Sequence, residues 1–307
     1  MRTNRFTRKF AIVAAAMLLA AATAGIKAHA EEMVIGTGDG PRTAVVLPAG
    51  DGPRPTVIVL HGALMTSEMT VRVSGFAEAA AKAGFTAVFP QGLMRLWHDG
   101  RTGGPDGPDD VAFLRALVSR LVKERIALPS HVYIAGISNG GMMSFTMICK
   151  AGELFRGIGT VIANMPAGIG ACNPPPMPLI MVNGTDDPMV PYEGGEVGLR
   201  GGRGLVMSVK ETANLFVRRN GCGAAITRRL PLDSGSGYDG TGVTGIGWQE
   251  CAYHKPVILY RIDGGGHQIP GRRAFLPFLF GRSNSDLPAA EAIMSAFARE
   301  EKSGWEK

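Results

Sequence analysis

Apolar runs of strand length alternate along the chain with segments whose apolar residues recur at helical spacing. The clearest helix is predicted over residues 111–124, where apolar side chains recur at i, i+3, i+4, i+7 and i+8 from Leu114 and Asp109 or Asp110 can cap the start. Further helices are predicted over 76–83, 141–150, 209–219 (with Ser208 as N-cap) and 289–302. Strands are predicted over 43–47, 56–60, 85–89, 132–137, 159–163, 179–182 and 257–262.

This alternation predicts an α/β fold with a mainly parallel central sheet and helices on both faces. Ligands of such sheets bind at the carboxyl ends of the strands, so functional side chains are expected just after strands.

The first 30 residues have the composition of a signal peptide. Four basic residues precede an apolar run over 10–24, and Ala28-His29-Ala30 matches a cleavage site. A retained membrane anchor is the alternative. We therefore expect residues 1–30 to be removed, residues 31–307 to form a single catalytic domain, and the product to be extracellular or periplasmic.

The net charge of +6 belongs largely to that segment. Five of the 32 Lys and Arg residues lie in residues 1–30, which leaves 27 basic residues against 26 acidic ones. A nearly neutral mature chain gives no reason to expect nucleic acid or an anionic surface as partner. The oligomeric state is left open.

The cysteines are even in number, which in an exported chain favours disulfides. Three pairings of Cys149, Cys172, Cys222 and Cys251 can be drawn, and pairing of neighbours in the sequence is favoured; free buried thiols are the alternative. No metal-ligand spacing is present, so neither a metal nor a cofactor is expected.

One pentapeptide, Gly136-Ile137-Ser138-Asn139-Gly140, lies between a β-prone run and a helix-compatible run. In that context G-x-S-x-G is a nucleophile elbow, in which the serine side chain is exposed at the sheet edge. A glycine-rich turn without catalytic function is the alternative. As the nucleophile, Ser138 would need an imidazole and a carboxylate from elsewhere in the chain.

Two later post-strand loops provide these groups. Asp187 follows strand 179–182 and is the predicted acid, whereas Asp186 is interpreted as a turn residue. His267 follows strand 257–262 and is the predicted base, with His98 as its competitor. The order Ser138, Asp187, His267 is that of α/β hydrolases.

Backbone donors should stabilise the oxyanion. The N–H of Asn139, after the nucleophile, is one predicted donor, and the loop after strand 56–60 should provide the other. Ala63 is assigned, with Leu64 as the alternative, and His61 is expected to be structural.

Taken together, the chain resembles the secreted esterases grouped as polyhydroxybutyrate depolymerases and LpqC-like proteins, relatives of feruloyl and acetylxylan esterases. The resemblance extends over about residues 43–271 and implies an α/β-hydrolase fold, the triad above, and the pairs Cys149–Cys172 and Cys222–Cys251. It lies in the motifs VLHG at 59–62, WHDGR at 97–101, DDVAF at 109–113, GISNGGMM at 136–143, GTDDP at 184–188, NGC at 220–222 and GGGHQIPG at 264–271.

Three positions depart from the family pattern. His98 replaces an asparagine, Asn183 replaces a histidine, and Gln268-Ile269 replaces Thr-Trp. None is a triad residue, but any substrate subsite built on an aromatic side chain at position 269 is put in doubt.

The expected activity is hydrolysis of a small or oligomeric carboxylic ester through an acyl-enzyme. Hydroxyalkanoate esters are the first candidate substrates, and feruloyl or acetylxylan esters are the alternative. A prolyl-oligopeptidase-like peptidase and a non-catalytic binding protein are further alternatives. We expect no separate surface-binding module in this chain and therefore weak attack on crystalline polyester. Candidate substrate-binding residues are Trp97, His98 and Trp248. For Trp97 the alternative is a place in the core. Trp248 and the 233–247 loop are expected to form a rim of the site, and the alternative for this loop is a mobile segment without that function.

Overall fold

The structure is a computed structural model that describes residues 30–101, 107–231 and 239–305. The predicted signal peptide therefore lies outside the described residues, apart from Ala30. The strands are β1 Glu31–Thr37, β2 Gly40–Leu47, β3 Arg54–Leu60, β4 Thr86–Pro90, β5 Ala127–Ile137, β6 Gly157–Val161, β7 Leu179–Gly184, β8 Gly195–Glu196, β9 Leu205–Val206, β10 Ile226–Arg229, β11 Gly242–Trp248 and β12 Val257–Asp263. The helices are α1 Ser67–Val73, α2 Phe76–Ala83, α3 Asp110–Lys123, α4 Asn139–Ala151, α5 Val209–Arg219, α6 Pro277–Phe280 and α7 Ala289–Trp305.

Ten strands form one sheet in the order β1-β2-β4-β3-β5-β6-β7-β12-β11-β10. The six central strands, β4 to β12 in this order, pair in parallel, and the outer strands pair antiparallel. This mixed, mainly parallel sheet with covering helices is the α/β-hydrolase fold that the sequence predicts. The carboxyl ends of the six parallel strands lie along one edge, which is where the polar loops meet.

Alternate residues of the central strands enter two separate cores. Ile58 and Leu60 of β3 belong to a core with α3, α4 and α5, whereas Val57 and Val59 belong to a core with α2 and α7. Such continuous apolar runs are expected of parallel strands buried on both faces.

Charged and polar side chains fix the ends of the helices. Asp109 caps α3 by accepting from the Ala112 N–H at 2.8 Å, and Ser208 caps α5 in a capping box with Glu211. Asp110, the alternative cap, is instead buried in an ion pair with Arg42 at 2.6 Å.

Most predicted elements occur within a few residues of their predicted bounds, but part of the 233–247 loop is different. Residues 242–248 form β11, paired with β12 over its whole length. Glycines at alternate positions, 245 and 247, lower the strand propensity of this segment, so its sequence does not indicate a strand. Residues 232–238 of that loop lie outside the described residues.

Two disulfides tie loops to the helices. Cys149 of α4 pairs with Cys172, and Cys222, just after α5, pairs with Cys251; these are the pairs implied by the family resemblance. Among the helices that the structure describes, none has both the length and the apolar composition to cross a membrane.

Candidate active site

Ser138 lies at the sharp junction between β5 and α4. Its backbone is in an unusual positive-φ conformation, with φ 52° and ψ −120°. The turn is so tight that a Cβ at Gly136 would lie 2.2 Å from the Gly140 carbonyl oxygen, and a Cβ at Gly140 would lie 2.4 Å from the carbonyl oxygens of Leu60 and His61. Glycine is therefore required at both positions, and the strained serine is held at the sheet edge with its side chain partly accessible.

The three predicted triad side chains are brought together. His267 Nε2 lies 3.0 Å from Ser138 Oγ, and His267 Nδ1 lies 2.8 Å from Asp187 Oδ2. The other carboxylate oxygen, Asp187 Oδ1, accepts from the N–H groups of Met189 and Val190, each at 2.8 Å. The buried carboxylate is therefore fixed and oriented toward the imidazole. Asp186 is exposed and accepts from the hydroxyl of Thr185 instead.

Hydrogen bonds between the two post-strand loops set the distance between acid and base. The Thr185 N–H donates to the Ile262 carbonyl at 3.0 Å, and the Asp186 N–H donates to the Gly265 carbonyl at 2.9 Å. The Thr185 hydroxyl accepts from the Gly264 N–H at 2.8 Å. Since β7 and β12 are neighbours in the sheet, these bonds continue the strand pairing into the site.

The loop after β3 passes beside the serine. A Cβ built on Gly62 would lie 3.8 Å from Ser138 Cβ. The Leu64 N–H donates to the Arg95 carbonyl at 2.8 Å, so it is not available to an oxyanion. The Ala63 N–H has no partner among the described residues, and the Asn139 N–H is at the first position of α4, where no intrahelical acceptor exists. Both N–H groups of the sequence prediction therefore lack an acceptor within the described part of the chain.

The side chain of Asn139 is buried in a polar network that sequence reasoning missed. Its Oδ1 accepts from the Trp97 N–H at 2.8 Å, and its Nδ2 donates to the Trp97 carbonyl at 3.0 Å and to Asp99 Oδ2 at 2.6 Å. Asp99 also accepts from Arg101 Nε, at 2.9 and 3.0 Å, and its carbonyl accepts from the Thr146 hydroxyl. The network fixes the residue whose backbone N–H lies next to Ser138.

His61 supports this region as a neutral imidazole. Burial lowers its pKa from 6.5 to about 4, and the positive charge of Arg42 lowers the pKa further, against an opposing effect of the Gly62 carbonyl. Its Nδ1 lies 2.8 Å from the Gly62 carbonyl oxygen, so Nδ1 carries the hydrogen, and Nε2 accepts from the Gly92 N–H at 2.9 Å. His61 has the structural environment that the sequence analysis expected.

The candidate substrate-binding residues of the 97–101 loop have partners other than the triad side chains. Trp97 is only 3% exposed, and its Nε1–H donates to the His61 carbonyl at 3.0 Å; it is the core residue of the two alternatives. His98 is exposed on the surface, and its backbone N–H donates to the Asp110 carboxylate at 2.6 Å. His267, not His98, contacts Ser138.

Trp248 does not rim this site. It pairs with Val257 at the start of β12, whereas His267 follows the end of that strand. Because β11 runs antiparallel to β12, its last residue lies at the opposite edge of the sheet. The expectation that Trp248 lies near the site is therefore not met, because the sequence of this segment indicates neither a strand nor its direction.

A second buried side chain missed by sequence reasoning is Gln268. Its Nε2 donates to the Phe275 carbonyl at 2.8 Å and the Gly281 carbonyl at 3.1 Å, while Oε1 accepts from the Phe275 N–H at 2.9 Å. These hydrogen bonds hold the segment around α6 next to His267, the neighbour of Gln268 in the sequence. Ile269, at the position of the family aromatic, packs half-buried against the α2–α7 core.

No group of three or more His, Cys, Asp or Glu side chains in the described ranges is arranged to hold a metal ion. The chemistry that these residues provide is that of a hydroxyl, an imidazole and a carboxylate in line, with two backbone donors alongside. Such an arrangement can transfer an acyl group through an attack by Ser138.

Known proteins similar to the chain include several named as esterases. It is 28% identical over 252 residues to a putative esterase, NocK, from Nocardia uniformis subsp. tsuyamanensis, covering 77% of this chain and 72% of that protein. It is 27% identical to the probable feruloyl esterase C of Aspergillus niger, over 63% of this chain and 61% of that protein, and 26% identical to feruloyl esterase B of Piromyces equi, over 62% and 35%. The chain thus spans less than two thirds of the length of either feruloyl esterase. No family model matches the chain.

Solved structures with a similar fold include a thermostable esterase, with a TM-score of 0.47 and 13% identity over 90% of this chain and 62% of that one. The structure of native sOPH has a TM-score of 0.47 and 18% identity, and the match covers 66% of this chain and 80% of that one. The fold assignment rests on the strand order. The similarity to the esterases named above and the contacts among Ser138, His267 and Asp187 identify the chain as a carboxylic ester hydrolase of the serine type.

Proposed function

We propose that the chain is an exported serine esterase that hydrolyses hydroxyalkanoate esters, with Ser138 as nucleophile, His267 as general base and Asp187 as the orienting acid. The observation that supports this assignment is the line of two contacts, Ser138 Oγ to His267 Nε2 at 3.0 Å and His267 Nδ1 to Asp187 Oδ2 at 2.8 Å. These are the distances at which a base can take the proton of its nucleophile.

In the first step His267 Nε2 accepts the hydroxyl proton while Ser138 Oγ attacks the ester carbonyl. The N–H groups of Ala63 and Asn139 donate to the oxyanion of the tetrahedral intermediate, each lowering the barrier by about 3 kcal/mol. The intermediate collapses when the carbon–oxygen bond to the alcohol breaks, and His267 gives its proton to that alcohol.

In the second step water attacks the acyl-enzyme carbonyl while His267 accepts a water proton. The bond between the acyl carbon and Ser138 Oγ then breaks, the carboxylic acid leaves, and His267 returns its proton to Ser138 Oγ. Asp187 stays ionised throughout. It keeps the hydrogen on Nδ1, so that Nε2 faces the serine as an acceptor, and it offsets the charge of the imidazolium.

Hydroxycinnamoyl esters of plant polysaccharide are the second candidate substrates, since several of the similar proteins are named feruloyl esterases. The similarity is below 30% identity, and specificity depends on loops rather than on the triad. Among the described residues, Trp97 is buried and Trp248 is distant, so neither offers an aromatic ring to a ferulate.

A substrate panel tests the proposal. Soluble 3-hydroxybutyrate oligomers, methyl ferulate and acetylated xylan are compared by kcat/KM on one enzyme preparation, with p-nitrophenyl butyrate as the reference ester. We expect the oligomers to be hydrolysed with the highest kcat/KM of the three. A preference for methyl ferulate of tenfold or more would contradict the hydroxyalkanoate assignment and support the second candidate.

Export and domain organisation belong to the same proposal. Residues 1–30 direct secretion, and residues 31–307 form the catalytic domain, outside the reducing cytosol, where the two disulfides are stable. Mass spectrometry of the protein from culture medium or periplasm tests this: a mature chain that begins at Glu31 is expected, and an intact N-terminus would contradict it.

A further inference from the structure

Arg42 of β2 and Asp110 of α3 form an ion pair that is completely enclosed by the protein. Both side chains have 0% exposure, and Arg42 Nη2 lies 2.6 Å from Asp110 Oδ1. The guanidinium carbon lies 3.9 Å from the centroid of the Phe113 ring, and the Nε and Nη1 donors have no hydrogen-bond partner among the described residues. Apolar side chains in place of a buried ion pair are often no less stabilising. Stability alone therefore gives little reason for this pair.

The ion pair holds both ends of one short segment, residues 91–98, which follows β4. At the start of the segment, Arg42 Nη2 donates to the Gln91 carbonyl at 3.3 Å. At its end, the Asp110 carboxylate accepts from the His98 N–H at 2.6 Å. The same two charges therefore attach the 91–98 segment to β2 on one side and to the first residue of α3 on the other.

Between its two ends, the same segment contacts both parts of the proposed oxyanion hole. The Arg95 carbonyl accepts from the N–H of Leu64, the residue after Ala63, at 2.8 Å. The backbone of Trp97 makes the two hydrogen bonds to the side chain of Asn139, at 2.8 and 3.0 Å. Because Ala63 and Asn139 carry the two proposed donors, a displacement of this segment would move both donors.

We propose that Arg42 and Asp110 are positioning residues for ester hydrolysis, which set the distance between the two oxyanion donors through the 91–98 segment. Both side chains are fully enclosed, so neither can contact a substrate, and each acts only through the backbone of that segment. The inference rests on the proposed function, because it concerns the donors assigned there. Since the oxyanion forms only as Ser138 attacks, loss of the pair lowers kcat and leaves KM nearly unchanged.

The double variant Arg42→Met/Asp110→Leu separates positioning from stability. It replaces the ion pair by apolar side chains of similar shape, so the midpoint of thermal unfolding is expected to stay within about 5 °C. The Gln91 carbonyl and the His98 N–H lose their partners, and the segment is free to shift. We expect kcat per active site for p-nitrophenyl butyrate to fall about tenfold, with KM within about twofold. Arg42→Met alone, which releases only the Gln91 end, should lower kcat about threefold and serves as the test if the double variant does not fold.

Asp110→Asn provides the converse case. The amide oxygen can still accept from the His98 N–H, and Arg42 can still donate to the Gln91 carbonyl, but the buried guanidinium loses its counter-ion. This variant should unfold at a lower temperature than the double variant and yet keep kcat per active site within about twofold of the unsubstituted enzyme. An ion pair with a purely structural function predicts the opposite order, in which the less stable variant is also the less active one.

Glu300→Gln is the matched control for loss of a buried charge. Glu300 is buried and forms an ion pair with Lys255, just before β12, at the opposite edge of the sheet. Its substitution should lower the midpoint of thermal unfolding and leave kcat per active site within about twofold. Active sites are counted by titration with a fluorophosphonate, so that misfolded protein does not enter the value of kcat.

Inhibition by butylboronic acid, which forms a tetrahedral adduct with a nucleophilic serine, measures the donors without turnover. Its inhibition constant should rise in the double variant by the same factor by which kcat/KM falls, and should not change in Glu300→Gln. Undiminished kcat per active site in both Arg42 variants, or losses of kcat that follow the thermal midpoints of the variants, would overturn the inference. Absence of p-nitrophenyl butyrate hydrolysis by the unsubstituted enzyme would instead refute the proposed function, so the two failures are distinguishable.

Discussion

The side-chain amide of Asn139 makes two hydrogen bonds to the backbone of Trp97: it accepts from the N–H at 2.8 Å and donates to the carbonyl at 3.0 Å. The same residue provides, through its own backbone, the N–H that follows Ser138. The position of this proposed oxyanion donor is therefore coupled to a buried side-chain network that includes Asp99 and Arg101.

Asn139→Ala is expected to lower kcat about tenfold or more with little change in KM, because the backbone donor remains but loses its lateral support. Asp99→Asn keeps the shape of the network and loses its charge-assisted bonds, so its effect should be smaller. Steady-state kinetics on p-nitrophenyl butyrate measure both. A change in KM alone, with kcat intact, would show that the network serves substrate binding and not the donor.

Asp187 and Asp186 are adjacent aspartates with different environments, which makes them a matched pair. Asp187→Asn should reduce kcat about 10⁴-fold, because an amide at that position favours the wrong imidazole tautomer. Asp186→Asn, at an exposed side chain, should stay within twofold. Similar losses of kcat in both variants would contradict the assignment of Asp187 as the acid. They would show instead that any loss of charge in this loop lowers the activity.

His61 makes the folded state sensitive to acid. Its pKa is about 4 when folded and 6.5 when unfolded, so between these values the unfolded chain binds the extra proton. Stability is therefore unaffected above pH 6.5 and declines as pH falls from 6.5 toward 4. At pH 5 the loss from this one group is about 2 kcal/mol relative to pH 7.

Urea unfolding at pH 7 and pH 5, of the unsubstituted protein and of His61→Gln, measures this contribution. The glutamine variant is less stable at pH 7 because its hydrogen bonds differ, but it should lose about 2 kcal/mol less between the two pH values. An identical pH dependence in both proteins would show that His61 is not the group responsible.

Residues whose chemistry depends on a place after a strand could be predicted from sequence. Ser138, Asp187 and His267 each follow a recognisable apolar run, and parallel strands bring such positions to one edge. The same argument predicted the sheet and its covering helices. The β11 strand was not predicted because its glycines interrupt the alternation of apolar and polar residues that indicates a strand. Without that strand, the position of Trp248 at the opposite edge of the sheet could not be predicted either.

Side chains that act through tertiary contacts gave no signal of their own. Asp99 lies in a loop of the sequence and reaches Asn139 only because the loop after β4 crosses the start of α4. Gln268 follows the histidine, but its partners Phe275 and Gly281 are fixed by a fold of the chain that no periodicity encodes. Burial decides their importance, and burial is a property of the folded chain.

The central claim is that Ser138 is the nucleophile, and the rate of p-nitrophenyl butyrate hydrolysis by Ser138→Ala tests it most directly. Ser144→Ala is the control, since Ser144 lies on the same helix with its hydroxyl bonded to the Gly140 carbonyl. Loss of the nucleophile should reduce kcat by about 10⁶-fold, while the control should stay within a few fold of the unsubstituted enzyme. A folded Ser138→Ala protein that hydrolyses the ester at an undiminished rate would contradict the account.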